Sequence, residues 1–279
     1  MLLGVTMFGT DQTMRPDDLA RAAEERGFGS LYLAEHTHIP TSRRTPPPTG
    51  HAELPEYYAR ALDPFVALAT AAAATERLRV GTGVCLVAQR DPIVTAKAVA
   101  SLDHLSGGRF VLGIGFGWNE DEMENHGVDM PRRRDVAREH VLAMQRLWAN
   151  EEAEFDGEFV RLPPSWSWPK PVQQPWPPVL IGGAAGPKLF AHVAEYADGW
   201  IPIGGAGVRA ALPELHKAME DAGRDPESAR VVPFGTLPDP GKLDYYASLG
   251  IDEVVLRVPV GGPDVAFPVL DDYAKLVDA

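Results

Sequence analysis

The sequence of this protein predicts a (β/α)8 barrel, and three observations support that architecture. Eight short apolar segments alternate with eight segments in which apolar residues recur at helical spacing. The apolar segments are continuous, which is typical of parallel strands covered on both faces. A length of 279 residues suits one such barrel, so we expect a single domain over residues 1–279. A doubly wound open sheet is the alternative.

The strand–helix units follow one another along the whole chain. In the first unit, the apolar run 2–8 precedes residues 16–26, where Leu19, Ala22 and Ala23 share a helical face and Gly27 ends the helix. The other predicted strands are residues 30–34, 78–87, 109–115, 178–181, 199–203, 229–235 and 253–258. The other predicted helices are residues 64–76, 92–105, 131–148, 187–197, 208–222, 241–249 and 263–277.

Two long insertions do not belong to the bare barrel: residues 37–63 after strand two and residues 150–177 before strand five. Irregular segments of this length are usually functional or disordered. The second contains a predicted hairpin at 154–161, turning at Asp156-Gly157, followed by Trp166, Trp168 and Trp176 among prolines. Proline restricts the backbone and indole rings bury large areas, so we expect a stiff, packed cover.

Composition and charge exclude several classes of partner. The formal net charge of -13 would repel a polyanion, so we expect no nucleic acid partner. No apolar run reaches the length of about 18 residues that a membrane span needs. The first residues, MLLGVTMFGTDQ, resemble a strand rather than a signal peptide. The single cysteine, Cys85, excludes an intrachain disulfide, and a cytoplasmic protein is the expectation.

The second strand, in the stretch SLYLAEHTHIP, ends in Glu35, His36 and His38. Barrel enzymes carry their chemistry at the carboxyl ends of the strands. We therefore predict that His36 donates or accepts a proton, with Glu35 hydrogen-bonded to the ligand or to the imidazole. The alternative is a solvated loop cap. A metal site at His-x-His is disfavoured, because strands five and six end in IGGAA and IPIGG, without further ligands.

Glycines mark the ends of strands three and four. In VGTGVCLV, two glycines within a strand indicate a bulge or the close approach of a ligand, while Cys85 is expected to pack in the core. In LGIGFGWNEDE, Gly113, Gly115 and Gly117 alternate and Asn119 follows. The pattern does not match a dinucleotide fingerprint, because the sixth-position glycine is missing. A flat ligand lying against glycine backbone is the favoured interpretation.

The stretch IGGAAGPK, residues 181–188, leads from strand five into a helix with Pro187 near its start. Backbone N–H groups at a helix N-terminus form an anion site, to which Lys188 could add charge. A tight strand–helix turn without a ligand is equally compatible with this stretch. The arginine run 132–134 is either a solvated helix face or a further contact for a phosphate or carboxylate.

Together these stretches resemble the bacterial luciferase-like superfamily, particularly its branch of coenzyme F420-dependent oxidoreductases. The resemblance is strongest in RVGTGVCLVAQRDPIVTAK, in FVLGIGFGWNEDE and in PVLIGGAAGPKLFAHVAEYADGWIP. It implies a (β/α)8 barrel with a flavin or deazaflavin in its mouth, against strand three, and a non-prolyl cis peptide at Gly83-Val84. It implies that the segment 182–188 holds the cofactor phosphate. The implied cofactor-binding residues are Thr82, Gly83, Val84, Gly115, Gly117, Asn119, Gly182, Gly183, Ala184, Ala185, Gly186 and Lys188.

The resemblance also implies a reaction. Glu35 and His36 match an acid–histidine pair that faces the deazaflavin, so His36 would exchange a proton with the substrate while a hydride moves to or from C5 of the ring. An FMN-dependent monooxygenase that activates O2 is the alternative, and a non-catalytic cofactor-binding protein is a third class. Trp118 replaces an acid of the sugar-phosphate dehydrogenase branch, and the connection 236–251 is short, which implies an open substrate pocket. A homodimer is expected from the resemblance.

Overall fold

The computed structural model describes residues 1–47 and 53–277. Residues 48–52, which belong to the insertion after strand two and include Pro48, lie outside the described part of the chain, as do residues 278–279 of the predicted domain. None of the helices in the described ranges combines the length and the hydropathy of a membrane-spanning segment.

The strands form a closed parallel barrel and a separate hairpin. The strands are β1 (Leu2–Thr6), β2 (Ser30–Leu33), β3 (Arg79–Thr82), β4 (Phe110–Ile114), β5 (Glu152–Asp156), β6 (Arg161–Trp166), β7 (Val179–Gly182), β8 (Gly199–Ile201), β9 (Arg230–Val231), β10 (Phe234–Thr236) and β11 (Glu253–Arg257). The order in the main sheet of the described residues is β10-β11-β1-β2-β3-β4-β7-β8-β9. Because β9 pairs with β8 while β10 pairs with β11, these two short strands form one barrel strand. The sheet closes on itself, and the predicted eight-unit barrel is confirmed.

Helices surround this barrel and cover each of its strands. The helices are α1 (Pro16–Glu25), α2 (Pro64–Ala73), α3 (Pro92–Leu105), α4 (Glu120–Asn125), α5 (Arg133–Ala149), α6 (Pro187–Tyr196), α7 (Val208–Asp221), α8 (Pro240–Ala247) and α9 (Pro263–Ala274). All eight predicted helices are present. The short α4 was not predicted. The predicted third strand 78–87 is too long, because the chain leaves the sheet after Thr82 and forms a 3-10 turn at Val87–Gln89.

The alternation of side chains along each strand creates two separate apolar cores. Tyr32, Val111, Phe234 and Val255 lie in a cluster inside the barrel. Leu31 and the other residues of opposite parity pack outward against the helices in a larger cluster. We call the carboxyl ends of the strands the barrel mouth. Because alternate residues face opposite sides, only every second residue at the end of a strand faces the interior of the mouth.

The opposite end of the barrel, the floor, is closed by a buried carboxylate. Glu253 is 2% exposed and accepts hydrogen bonds from the Ser30 hydroxyl at 2.7 Å, the Tyr32 hydroxyl at 3.1 Å and the Arg230 guanidinium at 2.9 Å. The Arg79 guanidinium lies 3.7 Å away. Burial and the neighbouring Glu253 raise the pKa of Tyr32 well above its usual value, so this hydroxyl stays a donor. The floor is therefore closed by a polar network in which the buried carboxylate has hydrogen-bond donors from Ser30, Tyr32 and Arg230.

The insertion before the fifth barrel strand differs in part from the prediction. The hairpin is present, but β5 and β6 pair from Glu152 to Trp166 and are longer than predicted. The expected packed cover is wrong for two tryptophans, since Trp166 is 76% and Trp168 59% exposed. Trp176 does pack against the large core. A two-stranded hairpin on the surface buries one face and leaves the other in solvent, and Trp166 at the end of β6 lies on the solvent side.

Candidate active site

The barrel mouth has two unlike sides. On β3, β4 and β7 the mouth residues are glycines, namely Gly83, Gly113, Gly115 and Gly182. On β11, β1 and β2 the inward residues at the mouth are large. Alternate residues of a strand face the same side, so Arg257 faces inward like Val255, and His36 faces inward like Tyr32. One side of the mouth is thus shaped by backbone, and the other by functional side chains.

The glycine side is built around a cis peptide bond between Gly83 and Val84, as the resemblance implied. The Val84 side chain fills the space that two glycines leave open. A Cβ at position 115 would lie 2.5 Å from Val84 Cγ2, and one at position 182 would lie 2.8 Å from Val84 Cγ1. At Gly115 and Gly182 the neighbour is thus the Val84 side chain, and a flat ligand against the glycine side stays a prediction.

Two further predicted contact residues have structural partners. Gly117 has φ +74, and a Cβ there would overlap the Met123 Cε atom, so the tight turn into α4 requires glycine. The Thr82 hydroxyl is fully buried and donates to the Gly113 carbonyl at 2.6 Å, which ties β3 to β4. Its side chain serves the sheet and does not face the mouth.

His36 pairs with a carboxylate that the sequence did not single out. Its Nδ1 lies 3.0 Å from both carboxylate oxygens of Glu122 on α4. Both side chains are buried, with His36 8% and Glu122 1% exposed. Helical spacing offers a signal that reasoning from the sequence missed, because Glu122 lies three residues after Asn119 and therefore on the same face of α4. A buried carboxylate so close to Nδ1 holds the imidazole in one orientation and leaves Nε2 available to a ligand.

Glu35 does not contact the imidazole, which corrects the prediction of an adjacent acid–histidine pair. Its carboxylate accepts the Leu86 backbone N–H at 2.6 Å and pairs with the Arg90 guanidinium, which also binds Asp63 at 2.6 Å. The reason is parity: Glu35 shares the outward face of β2 with Leu31, whereas His36 shares the inward face with Tyr32. Glu35 thus anchors the segment after the cis bond.

Cys85 lies beside this anchor. It is fully buried, and burial together with the nearby Glu35 carboxylate raises the pKa of the thiol well above its usual value. The thiol stays protonated and packs in the core, as predicted.

Aromatic rings surround His36 on the open side. Phe8 stacks nearly parallel to the imidazole with ring centroids 6.4 Å apart, and Tyr58 and Trp118 lie at 5.1 and 6.1 Å. Tyr57 contacts Phe8 at 4.8 Å and Tyr58 at 5.1 Å. We call Phe8, Tyr57, Tyr58 and Trp118 the aromatic wall. The wall excludes water from one side of the imidazole and offers flat apolar surface to a ligand.

Asn119 stands out among the buried polar groups of the mouth. It is 1% exposed, and neither its amide oxygen nor its amide nitrogen has a hydrogen-bond partner among residues 1–47 and 53–277. Buried amides are nearly always hydrogen-bonded in native proteins. An unpaired amide next to the Gly117 turn fits a site that receives the polar groups of a ligand.

The segment 182–188 forms an open helix start, as predicted for an anion site. Ala184, Ala185 and Lys188 are exposed, and α6 begins without a side-chain cap. Gly186 has φ +152, with no atom within 4 Å of a Cβ at that position, and the Gly183 carbonyl is held by the Trp200 indole N–H at 2.8 Å. Pro187 has no N–H and the Leu189 N–H donates to the Gly186 carbonyl at 3.0 Å, so the Lys188 N–H is the first one that α6 leaves for a ligand.

Comparison with known proteins identifies the family. A family model described as luciferase-like monooxygenase matches residues 11–237, which is most of the chain. The chain belongs to the luciferase-like monooxygenase family, a family of oxidoreductases. The resemblance seen in the sequence is confirmed.

Two relatives of this luciferase-like chain come from Mycobacterium tuberculosis. An uncharacterized protein is 45% identical over 280 residues, covering 98% of both chains. A putative coenzyme F420-dependent oxidoreductase is 30% identical over 216 residues, covering 73% of this chain and 55% of that protein.

Two solved structures share the fold of the luciferase-like chain. A monooxygenase from Streptomyces bottropensis has a TM-score of 0.79 at 22% identity, covering 99% of this chain and 98% of that one. An F420-dependent secondary alcohol dehydrogenase in complex with an F420-acetone adduct has a TM-score of 0.76 at 19% identity, with the same coverage of 99% and 98%. At these identities the likeness shows a common fold.

Other groups considered in the sequence have partners of their own in this luciferase-like protein. His38 Nε2 lies 3.1 Å from the Asn125 amide oxygen, and its ring lies 5.2 Å from that of His126. The described ranges contain no cluster of three or more histidine, cysteine or carboxylate side chains suited to a metal ion. In the arginine run, Arg132 pairs with Asp135 at 2.8 Å, as on a solvated helix face. Arg133 instead donates to the Gly117 and Met130 carbonyls, and Arg134 lies over the Phe116 ring with one buried guanidinium nitrogen unpaired among the described residues, so a contact with a ligand anion stays a prediction.

Proposed function

We propose that this luciferase-like protein is a coenzyme F420-dependent oxidoreductase that transfers a hydride between the deazaflavin C5 and a small organic substrate. The observation that carries the proposal is the buried His36–Glu122 pair at the barrel mouth, with the imidazole at 3.0 Å from the carboxylate. A protein that only stored a cofactor would gain nothing from an oriented proton-transfer group. The name of the M. tuberculosis relative at 30% identity supports the choice of F420.

In this proposal, His36 exchanges a proton with the substrate through Nε2. Glu122 accepts the Nδ1–H and stabilises the imidazolium when the ring carries two protons. Glu35 acts as a positioning residue, because its contacts with the Leu86 N–H and with Arg90 hold the segment that follows Gly83-Val84. The aromatic wall keeps water from the imidazole, which strengthens the interaction with Glu122.

The residues of the glycine side fit a flat anionic cofactor. Gly83 and Val84 provide a surface behind the ring, and the unpaired Asn119 amide provides a polar partner. The start of α6, with Gly182, Gly183, Ala184, Ala185, Gly186 and Lys188, would hold a phosphate through backbone N–H groups. When bound, the deazaflavin supplies the hydride chemistry at C5.

An FMN-dependent monooxygenase that activates O2 is the second candidate. The likeness to the monooxygenase from S. bottropensis, with a TM-score of 0.79, favours it. FMN has a nitrogen where the deazaflavin has C5, and only the flavin reacts readily with O2. The identity of the cofactor therefore decides the reaction class.

Titration of the purified apoprotein with F420 and, separately, with FMN tests the proposal. We expect tight binding of F420, followed by ligand fluorescence, and at least tenfold weaker binding of FMN. Tight binding of FMN alone would support the monooxygenase, with oxygen uptake as the next assay. Binding of neither would overturn the cofactor site. Loaded enzyme is then assayed for F420 reduction by alcohols and for reduced F420 oxidation by ketones and activated alkenes, which identifies a first substrate.

A matched pair of variants tests the anion site. Lys188→Ala removes an exposed ammonium at the start of α6, and Lys217→Ala removes one on α7 that pairs with Asp221 at 2.8 Å. We expect about tenfold weaker F420 binding for the first and an unchanged affinity for the second. Equal affinities would place the phosphate elsewhere. Size-exclusion chromatography tests the homodimer, which we expect from the family resemblance.

A further inference from the structure

Arg257, the last residue of β11, has no acidic partner. Of the other arginines at the mouth, Arg44 pairs with Asp121 at 2.7 Å, Arg60 with Asp11 at 2.9 Å and Arg90 with Asp63 at 2.6 Å. Arg43 also has no ion pair among the described residues, but its guanidinium lies over the Trp118 ring at 5.9 Å. Within residues 1–47 and 53–277, the Arg257 guanidinium forms neither an ion pair nor a hydrogen bond, and the residue is exposed; its carbonyl accepts from the Tyr273 hydroxyl at 2.9 Å. A protein of net charge -13 has acidic groups to spare, so an unpaired guanidinium at the mouth needs another explanation.

The register of the sheet places Arg257 on the inner face. Glu253 and Val255, which share its parity on β11, both lie inside the barrel. Arg257 pairs with Thr6 of β1, and Phe8 follows two residues later on the same face. The nearest atoms to a Cβ at Gly235 of β10 are the Arg257 guanidinium nitrogens, at 3.5 and 3.8 Å. The side chain therefore lies along the inner rim, on the face that Phe8 shares.

The same conclusion follows from Tyr58 of the aromatic wall. Burial, together with the neighbouring Tyr57, raises the pKa of Tyr58, and the positive charge of Arg257 opposes this rise. The Arg257 charge therefore lies within electrostatic reach of Tyr58, as it does of Tyr273 on α9.

The position of Arg257 around the barrel separates it from the cofactor phosphate. The proposed phosphate site follows β7, and going round the barrel from β7 to β11 passes β8 and the β9–β10 strand on one side. The other way round passes β4, β3, β2 and β1. Arg257 belongs with β1 and β2, which carry Phe8 and His36, on the side opposite the glycines. A guanidinium there faces the molecule that reacts at His36 rather than the cofactor tail.

We propose, on the basis of the proposed function, that the substrate combines an apolar body of aromatic size with a carboxylate, and that Arg257 binds this carboxylate. Phe8, Tyr57, Tyr58 and Trp118 receive the apolar body. A planar guanidinium matches a carboxylate with two parallel N–H···O bonds. One guanidinium balances one negative charge, which suits a carboxylate better than a doubly charged phosphate ester.

Calorimetric titration of the full chain, loaded with F420, with 4-phenylbutanoate and with 4-phenylbutanamide tests this proposal. The two probes share the apolar body and differ in charge. We expect the wild type to bind the acid about 10- to 100-fold more tightly than the amide, as a charged hydrogen-bonded pair implies. Arg257→Gln should abolish this preference. Arg77→Gln, which removes an exposed arginine at the floor, should retain it.

Several outcomes would overturn the proposal. These are equal binding of acid and amide by the wild type, a preference retained in Arg257→Gln, and binding of neither probe at millimolar concentration. Weaker F420 binding by Arg257→Gln than by wild type would assign Arg257 to the cofactor and also overturn it. Failure of the wild type itself to bind F420 is a different result, because it refutes the proposed function, and the same probe titrations on the apoprotein then judge the carboxylate site separately.

Discussion

The two ends of the barrel both bury polar groups, and they treat them in opposite ways. At the floor, Glu253 is surrounded by donors from Ser30, Tyr32 and Arg230. At the mouth, Glu122 satisfies His36, but the buried Asn119 amide has no partner within the described ranges. A satisfied network adds stability, whereas an incomplete one costs stability unless a ligand completes it. The difference supports the proposal that the mouth, rather than the floor, serves the reaction.

The largest expected effect separates reaction from stability at the mouth. His36→Gln keeps an N–H donor for Glu122 but cannot exchange a proton near neutral pH. We expect turnover of the first identified substrate to fall by about 10²- to 10⁴-fold, the usual contribution of a general acid or base. F420 affinity and the melting temperature should change little. Glu122→Gln should cause a smaller loss, and unchanged turnover in both variants would remove the pair from the reaction.

At the floor, the effect should be the reverse. Glu253→Gln removes the charge that Arg230 and Arg79 face, and places an amide among donors. We expect the free energy of unfolding to fall by about 3 kcal/mol, measured by chemical denaturation, because a buried pair loses one partner. Turnover per folded molecule should stay within about twofold of wild type. Glu227→Gln, an exposed carboxylate at the same end, is the control and should change stability by less than about 0.5 kcal/mol. A selective loss of turnover in Glu253→Gln would contradict the assignment of the floor to stability.

A smaller effect is expected on the glycine side of the mouth. Gly115→Ala places a Cβ 2.5 Å from Val84 Cγ2 and must displace that side chain. Overpacking of this kind costs about 1–3 kcal/mol, and we expect F420 affinity to fall with it. Gly241→Ala in α8, where the nearest atom lies 3.4 Å away, is the matched control. Binding by Gly115→Ala as tight as that of the control would mean that Val84 does not support the cofactor.

The smallest effect concerns the pH dependence of stability. His140 Nδ1 donates to the Val87 carbonyl at 3.0 Å, and burial lowers the pKa of His140 below its ordinary value of 6.5. The unfolded chain therefore takes up this proton more readily, so stability present at pH 7 is lost as the pH falls through and below 6.5. One proton contributes at most about 1.4 kcal/mol per pH unit.

Denaturation of wild type and of His140→Gln at pH 7 and at pH 5 measures this contribution. We expect stability to fall less between the two pH values in the variant. Burial also lowers the pKa of His126 and His192, and both histidines remain in both proteins, so the comparison reports on His140. An equal or steeper fall in the variant would contradict the lowered pKa.

Much of the barrel and part of the site follow from local patterns in the sequence. Apolar runs and helical spacing predicted all eight units, and the glycines of VGTG, with the family resemblance, predicted the cis bond at Gly83-Val84. Parity along SLYLAEH would also have separated Glu35 from His36, because alternate strand residues face opposite sides. The adjacent-pair interpretation overlooked this rule.

The sequence by itself determined the fold, because the strand period and the burial pattern can be read from short stretches of the chain. It also predicted His36 at the barrel mouth as a candidate proton-transfer group. Only the tertiary structure decided that His36 pairs with Glu122, which lies 86 residues away, and that Gly115 and Gly182 make room for Val84. It also decided that Arg257 has no ion-pair partner in the described ranges. Such contacts depend on how distant segments pack, and no local pattern contains that information.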